Sequence, residues 1–377
     1  MNTGYRMVYP FLPVFAQALG VELTSISLAL SARSLVGGLG PFLATIADRR
    51  GRKTGMLMGV GVFTLGAALV VIWPAFLPFV LALILISLGK AVFDPSIHAY
   101  VGDKVDYEKR ATAIALIEMS WSLSFILGIP LIGYLIAHYG WTSPFTALGL
   151  AGFAILLILM RFIPSDRVNF ANPPGAQPSP LWHNLSKVFT NRLAQAGLVF
   201  ALLLAAANET INVVFGVWIE ASFGVQLAAL GAASAVIGFS ELAGESLVSV
   251  LTDRLGKSRA IAAGIGFNCL SALLLPILGR SLPGALVGLF FFYLTFEFTL
   301  VSSIPLMTEI LPGARATLLA ANIAAYSVGR AVGDILAPPV YGLGIWANGV
   351  VTVFLNLMAL LVLLRLTRAM QVRTSST

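Results

Sequence analysis

Eleven ionisable side chains interrupt the apolar stretches of this 377-residue chain: Arg6, Arg33, Lys90, Asp94, Glu118, Glu209, Glu241, Glu245, Glu297, Arg330 and Asp334. A charge at the centre of a hydrocarbon layer costs about 2.5 to 3.5 kcal/mol on insertion scales, so such groups need partners or a wet path. Lys90 and Asp94 stand four residues apart, as do Arg330 and Asp334, and that spacing lets each pair neutralise itself along one helical face. Glu241 and Glu245 share the spacing with like signs, and two close carboxylates in a poorly hydrated site resist ionising together. They are candidate proton carriers, with Glu118, Glu209 and Glu297 beside them. Seven acids against four bases leave three negative charges if all ionise, which bound protons or a cation would balance.

The chemistry these groups suit is moving charge rather than making bonds. A proton crossing 100 mV releases about 2.3 kcal/mol, worth roughly a 50-fold gradient of a coupled solute. No GxxxxGK[ST] loop is present, so an ion gradient is the expected power source. His98, His138 and His183 are dispersed, and neither a nucleophile triad nor a metal-ligand cluster is apparent. The expectation is no enzymatic activity, no metal and no cofactor. Trp121, Phe125, Trp218, Tyr326 and the run FFFYLTFEF (290–298) either line an apolar cavity for amphipathic compounds or simply pack.

The elements that must hold these residues are membrane-spanning helices, because 58% of the chain is hydrophobic and 10% charged. Turn signals and charge breaks give twelve spans: 3–19, 27–47, 54–73, 76–101, 111–136, 142–160, 193–218, 227–251, 260–279, 283–307, 314–338 and 343–364. Spans three, six, nine and twelve lack ionisable residues, so they are expected to shield the other eight from lipid. With the N-terminus inside, seventeen of the 23 Lys and Arg fall in cytoplasmic segments, which sets both termini in the cytoplasm. That bias accounts for the net charge of +7 without nucleic acid. The lone Cys269 lies within a span and excludes an internal disulfide framework. The first span imitates a cleaved signal peptide through Ala16-Gln17-Ala18, but its two prolines and the repeat below argue for a retained helix.

A shift of 205 residues lays Asp48-Arg49-x-Gly51 on Asp253-Arg254-x-Gly256 and Arg110-Ala111-Thr112 on Arg315-Ala316-Thr317. A shift of 204 lays FLPVFAQALGV (11–21) on FGVWIEASFGV (215–225), so the chain is two six-span halves. The expected division is 1–162, a proline-rich cytoplasmic linker at 163–192, and 193–377. LWHNLSKVFTNR (181–192) reads as a short surface helix, on which the Asn184-Leu185-Ser186 glycosylation pattern would be inert. The repeat sets Trp121 over Tyr326, and Arg6 over Thr210 beside Glu209, which implies opposite charges in the two halves; Arg6 could instead snorkel to the surface.

Asp48-Arg49-Arg50-Gly51-Arg52-Lys53, between spans two and three and echoed between eight and nine, resembles the signature loop of the major facilitator superfamily. Ala44 replaces the usual glycine at the motif start, and the second copy is degenerate, with Ser249 there and Lys257-Ser258 after Gly256. The resemblance implies an all-α membrane protein of twelve transmembrane helices in two pseudo-symmetric six-helix bundles. It also implies a conformational latch in which Asp48 and Arg52 bridge to an acid ending span four, here Asp103, and to the start of span eleven. Asp253, Arg254 and Glu309 would form its echo. An aspartate at a helix C-terminus faces the negative end of the dipole and needs such partners, whereas topology alone suffices for Arg50 and Lys53. GIPLIG (128–133) only partly matches the superfamily's antiporter signature; Pro130 and its glycines indicate a bent, closely packed helix.

The expected function is proton-coupled efflux of small amphipathic compounds by a monomer in a bacterial inner membrane. Its partners would be a small-molecule substrate, protons and the lipid bilayer. Proton-linked uptake of a sugar or other metabolite is the alternative, and a non-transporting sensor of the same fold is the alternative of another class.

Overall fold

The computed structural model describes residues 1–40, 42–43, 51–164, 181–311 and 314–375. Asp48, Arg49 and most of the proline-rich linker lie outside them. The described residues form helices and no strand, as a bilayer requires of a chain that must satisfy its backbone hydrogen bonds internally. The helices are α1 (Asn2–Arg6), α2 (Leu12–Leu19), α3 (Leu23–Gly37), α4 (Arg52–Ile72), α5 (Phe76–Lys104), α6 (Tyr107–Leu123), α7 (Ile129–Tyr139), α8 (Ser143–Phe162), α9 (Leu181–Thr190), α10 (Arg192–Asn212), α11 (Phe215–Phe223), α12 (Leu227–Leu255), α13 (Lys257–Leu278), α14 (Leu282–Ile310), α15 (Arg315–Tyr341) and α16 (Ile345–Ser375). A π-helical turn, Ser124–Gly128, joins α6 to α7.

Nine helices among the described residues are long and apolar enough to cross a membrane, or ten if α2 and α3, bent by 114°, count as one. Three of the spans read from sequence do not pass that test singly. The first is broken between α1 and α2, and the eleventh, α15, carries Arg330, Asp334 and Asn322 and closes on Pro338 and Pro339; of the second, residues 41 and 44–47 lie outside the described ones.

The chain divides into two compact units. One comprises Met1–Asn169 with Val213–Gly238, the other Phe170–Asn212 with Phe239–Thr377. In the first unit, α4 and α5 form a hairpin whose crossing is set by Gly59 and Gly89: a methyl on either would fall within van der Waals distance of the other's carbonyl oxygen. Gly216 of α11 lies against the backbone of Pro10, and Gly231 of α12 against Ile129 and Pro130. In the second unit, α13 and α14 form the corresponding hairpin, with Gly264 against Thr299 and Gly288 against Leu275. Small residues admit close helix contact where lipid supplies no hydrophobic force between helices.

Among the described residues the six with positive φ are all glycines, and they pair off by the repeat: Gly20 with Gly224, Gly51 with Gly256, and Gly140 with Gly344. The separations, 204, 205 and 204, match the internal shifts of the sequence, so the turns recur along with the motifs. An outer position is clearest for α8, which buries 11% of its most apolar window, against 78% for Arg192–Phe223. For α4 the figure is 44%, the same as for the charge-bearing α12, so lack of charge alone does not mark a lipid-facing helix.

Candidate functional site

In the first unit the charges gather on α5. Its period sets Lys90, Asp94 and His98 on one face at intervals of four. Lys90 Nζ donates to Asp94 Oδ2 at 2.5 Å and to Asn2 Oδ1 at 2.5 Å, and it lies 4.0 Å from the centroid of the Trp121 ring. Asn2 in turn donates to Ser120 Oγ at 2.8 Å, so one ammonium ties α5 to α1 and α6. Arg6 donates to the Trp121 carbonyl at 3.2 Å and sits 4.7 Å and 4.6 Å from the centroids of Trp121 and Phe125. Cation–π contact of this kind is worth about 2 kcal/mol when desolvated. His98 Nε2 stands 3.1 Å from Glu118 Oε1 on α6.

Arg33, fully buried, donates to the Tyr5 carbonyl at 2.7 Å and to the Tyr9 hydroxyl at 2.6 Å, with its guanidinium over both rings. It holds α3 to the α1–α2 turn. Next to this network a cavity of about 450 Å³ has Asn2, Thr3, Asp94, Ser120 and Ser124 in its polar lining and Phe63, Phe93 and Leu127 among its apolar walls. Apolar walls with a few convergent polar groups are what small-molecule sites offer.

In the second unit Glu209, on α10, is fully shielded from solvent. Gly329 and Gly333 of α15 admit the approach: a methyl on the first would strike the Leu202 carbonyl, and one on the second would come 2.5 Å from Glu209 Cβ. That crossing brings Arg330 Nε within 3.8 Å of Glu209 Oε2, while Asn212 donates to Oε1 at 3.1 Å and accepts from the Tyr293 hydroxyl at 2.9 Å. Arg330, expected to neutralise Asp334 on its own helix, therefore also faces an acid on another; Asp334 itself is fully buried. Tyr326 lies within electrostatic reach of Glu297 and Arg330. Glu241 is buried and Glu245 half-buried, and Gly244 between them packs on α14 where a methyl would meet Glu297 Cβ at 2.9 Å. Glu297 thus lies at the crossing of α12 and α14, beside a glycine one residue from Glu245 and three from Glu241.

At the ends of the spans, Arg52 Nε donates to Asp103 Oδ2 at 3.1 Å. Lys257 pairs with Glu309, and each half has its cation directly after a positive-φ glycine, Gly51 or Gly256. Asp253 and Arg254 are exposed, and Asp253 lines a cavity of about 620 Å³ with Lys257, Arg259 and Glu309. Lys53 donates to the Met160 and Ile163 carbonyls at 3.0 and 2.5 Å, which places a cation at the C-terminus of α8. This is a specific helix-capping contact beyond its expected topology role.

Sequence reasoning missed Asn2, Ser120, His98, Asn212 and Lys257, whereas Tyr293 lies in the aromatic run 290–298. Lys257 was findable, since the 205-residue shift lays it on Arg52. The amides gave a weaker signal, as buried polar residues within apolar spans; Asn356 donates to Asn268 at 2.8 Å and Asn268 to the Phe292 carbonyl at 2.8 Å.

Two helical units with recurring turns and charged networks inside apolar helices define a polytopic membrane protein. The Major Facilitator Superfamily model matches residues 1–334, and the chain belongs to that family of membrane transporters. It is 28% identical over 350 residues to the uncharacterized MFS-type transporter YceJ of Bacillus subtilis (strain 168), covering 90% of this chain and 86% of that protein. It is 26% identical over 285 residues to a multi-drug resistance efflux pump PmrA homolog of Lactococcus lactis subsp. lactis (strain IL1403), covering 71% and 67%. Among solved structures, the nucleoside transporter NupG is similar in fold, with a TM-score of 0.77 at 14% identity over 97% of this chain and 96% of that one.

Proposed function

We propose that the chain exports small amphipathic compounds in exchange for protons, by alternating access, as a monomer in the cell membrane with both termini cytoplasmic. The observation that carries this reading is the set of acids within apolar helices, outnumbering the bases seven to four. In a membrane transporter such acids are affordable where they exchange protons or meet a cationic solute. The efflux pumps among its relatives and the aromatic groups around Arg6 and Lys90 support amphipathic cargo. Arg52–Asp103 and Lys257–Glu309 act in this scheme as latches that part and re-form in each cycle, with Asp48, Arg49, Asp253 and Arg254 in the same loops.

The test is reconstitution in proteoliposomes with an imposed pH gradient, ethidium as first probe within a compound panel, and a lumenal pH dye. Export by exchange moves compound and protons in opposite directions, whereas parallel movement establishes uptake by symport. Glu118, Glu209, Glu241, Glu245 and Glu297 changed singly to Gln identify the proton carriers: at least one variant loses coupling while still exchanging compound without a gradient. Flux of neither compound nor proton across the panel would leave a sensor as the better reading.

A further inference from the structure

His98 belongs to no expected role, yet it completes a row of titratable groups on α5. Lys90, Asp94 and His98 follow one another at intervals of four, spanning about 12 Å of helix. Side-chain exposure rises along that row, from 9% at Lys90 to 35% at Asp94 and 36% at His98, and reaches 49% at Glu118, the acid facing His98. The dry end is tied to three helices through Asn2, Asp94 and Trp121. The wetter end is a single imidazole–carboxylate contact of 3.1 Å between α5 and α6. Pro95 sits between the two pairs, and its missing N–H removes one backbone bond from α5 where the row would need to flex.

We infer that this row is a proton relay: His98 and Glu118 take a proton from water and pass it to Asp94, whose neutralisation releases the Lys90 ammonium from its carboxylate. The proton leaves the imidazolium for Glu118, or for Asp94 one turn away, and ends on the Asp94 carboxyl. Lys90 keeps its charge throughout, so the Lys90–Asp94 pair passes from net zero to plus one and returns when the proton leaves. Release of Lys90 frees it from α5's own acid while Asn2 and the Trp121 ring remain as partners, which shifts its hold toward α1 and α6. The inference rests on the proton-coupled reading and assigns that reading a site in the first unit.

The Met1 α-amino group lies within electrostatic reach of Lys90 and Asp94, and the remaining charged groups around α5 hold partners elsewhere. Arg33 of α3 holds the Tyr5 carbonyl and Tyr9; Arg6, the last residue of α1, holds the Trp121 carbonyl; Arg52 of α4 holds Asp103; Lys53 holds the end of α8; and Arg110 of α6 donates to the Val105 carbonyl. The groups facing His98 are therefore Glu118 across the crossing and Asp94 and Lys90 on its own helix.

Infrared difference spectroscopy of the full chain in lipid after a pH jump reads the relay without any transported compound. The wild type is expected to show the carboxylic-acid C=O band of a shielded carboxyl, and Asp94→Asn to lose it. His98→Gln keeps the band but delays its appearance by about tenfold or more, because a positioned acid–base group is gone. Glu118→Asp, which preserves the carboxylate, restores most of the rate lost in Glu118→Gln. A band unchanged in Asp94→Asn, or His98→Gln as fast as the wild type, overturns the relay whatever the transport assay shows. A relay intact by this measure, with no proton movement in the ethidium and panel assays, overturns the coupled-transport reading instead.

Discussion

The two units share a frame and differ in the sign of what it carries. Within the apolar helices the first holds Arg6, Arg33 and Lys90 against Asp94 and Glu118, and the second holds Arg330 against Glu209, Glu241, Glu245, Glu297 and Asp334. Two of the glycine pairs, Gly51 with Gly256 and Gly140 with Gly344, recur from one unit to the other, so the fold tolerates an exchange of charge. At the 205-residue shift Lys90 and Asp94 correspond to Thr295 and Thr299. Those hydroxyls close on their own helix, Thr295 Oγ1 donating to the Phe291 carbonyl at 2.7 Å and Thr299 Oγ1 to the Thr295 carbonyl at 2.7 Å. The row of charge on the fourth span of one unit is replaced by hydroxyls in the other, where α14 keeps Glu297 off that row and the acid facing Arg330 stands on α10. Backbone geometry and charge placement are thus separable, and each can be perturbed alone.

Charge removal should expose the difference most strongly. Glu209→Ala strips a fully buried carboxylate from Asn212 and Arg330, leaving polar groups without their acid. Loss of one partner from a buried pair costs about 3 kcal/mol, and thermal unfolding in lipid should fall accordingly. Lys90→Met places a similar apolar volume among Trp121 and Asn2, and Asp94 is already a third exposed, so the cost is expected at about half that. Equal losses in the two variants would mean that the units are not asymmetric in how deeply they bury charge.

Packing gives the next effect. Gly329 and Gly333 of α15 have as their counterparts Ser124 and Gly128 by the same shift. A methyl at Gly329 would press on the backbone carbonyl of Leu202, whereas one at Gly128 would meet only the side chain of Thr3. A side chain can turn aside and a helix backbone cannot, so Gly329→Ala should cost about 2 kcal/mol and Gly128→Ala less than about 1 kcal/mol, measured side by side by thermal unfolding. The Gly128→Ala, Thr3→Ser double variant should recover most of the smaller loss.

Most of the frame was legible from the sequence because its signals are local and repeated. Apolar runs near twenty residues, Pro and Gly at their ends and a single offset gave the helices and the duplication. The first and eleventh spans were harder: Pro10 and Pro13 break the first, and the charges of α15 dilute its hydropathy. The site was legible as a set of residues and less so as a set of contacts. Spacing of four gave Lys90–Asp94 directly, since both lie on one helix face. Glu209–Arg330 and His98–Glu118 join different helices, and only the crossings at Gly333 and between α5 and α6 decide them. Asn2 illustrates the limit: its value comes from bridging Lys90 to Ser120, 88 and 118 residues away in sequence.

The latch pairs offer the smallest stability effect and the sharpest test of equivalence. Arg52–Asp103 and Lys257–Glu309 are part-exposed, with the acids 55% and 46% accessible, so solvent screens both and each should contribute less than about 1 kcal/mol. Asp103→Asn and Glu309→Gln are accordingly expected to leave thermal unfolding within that margin. If the pairs part and re-form during the cycle, their removal should instead slow ethidium export in proteoliposomes, more for Asp103 than for Glu309. Arg52 offers a planar fork with several donors where Lys257 offers a compact ammonium, and a fork is less easily replaced. Arg52→Lys, which makes the first pair resemble the second, should therefore lower the rate modestly, and Lys257→Arg should not lower it. The exchanged pair Arg52→Asp with Asp103→Arg separates attraction from position: recovery relative to either single change assigns the effect to the ion pair itself, and no recovery assigns it to the loop that carries Gly51.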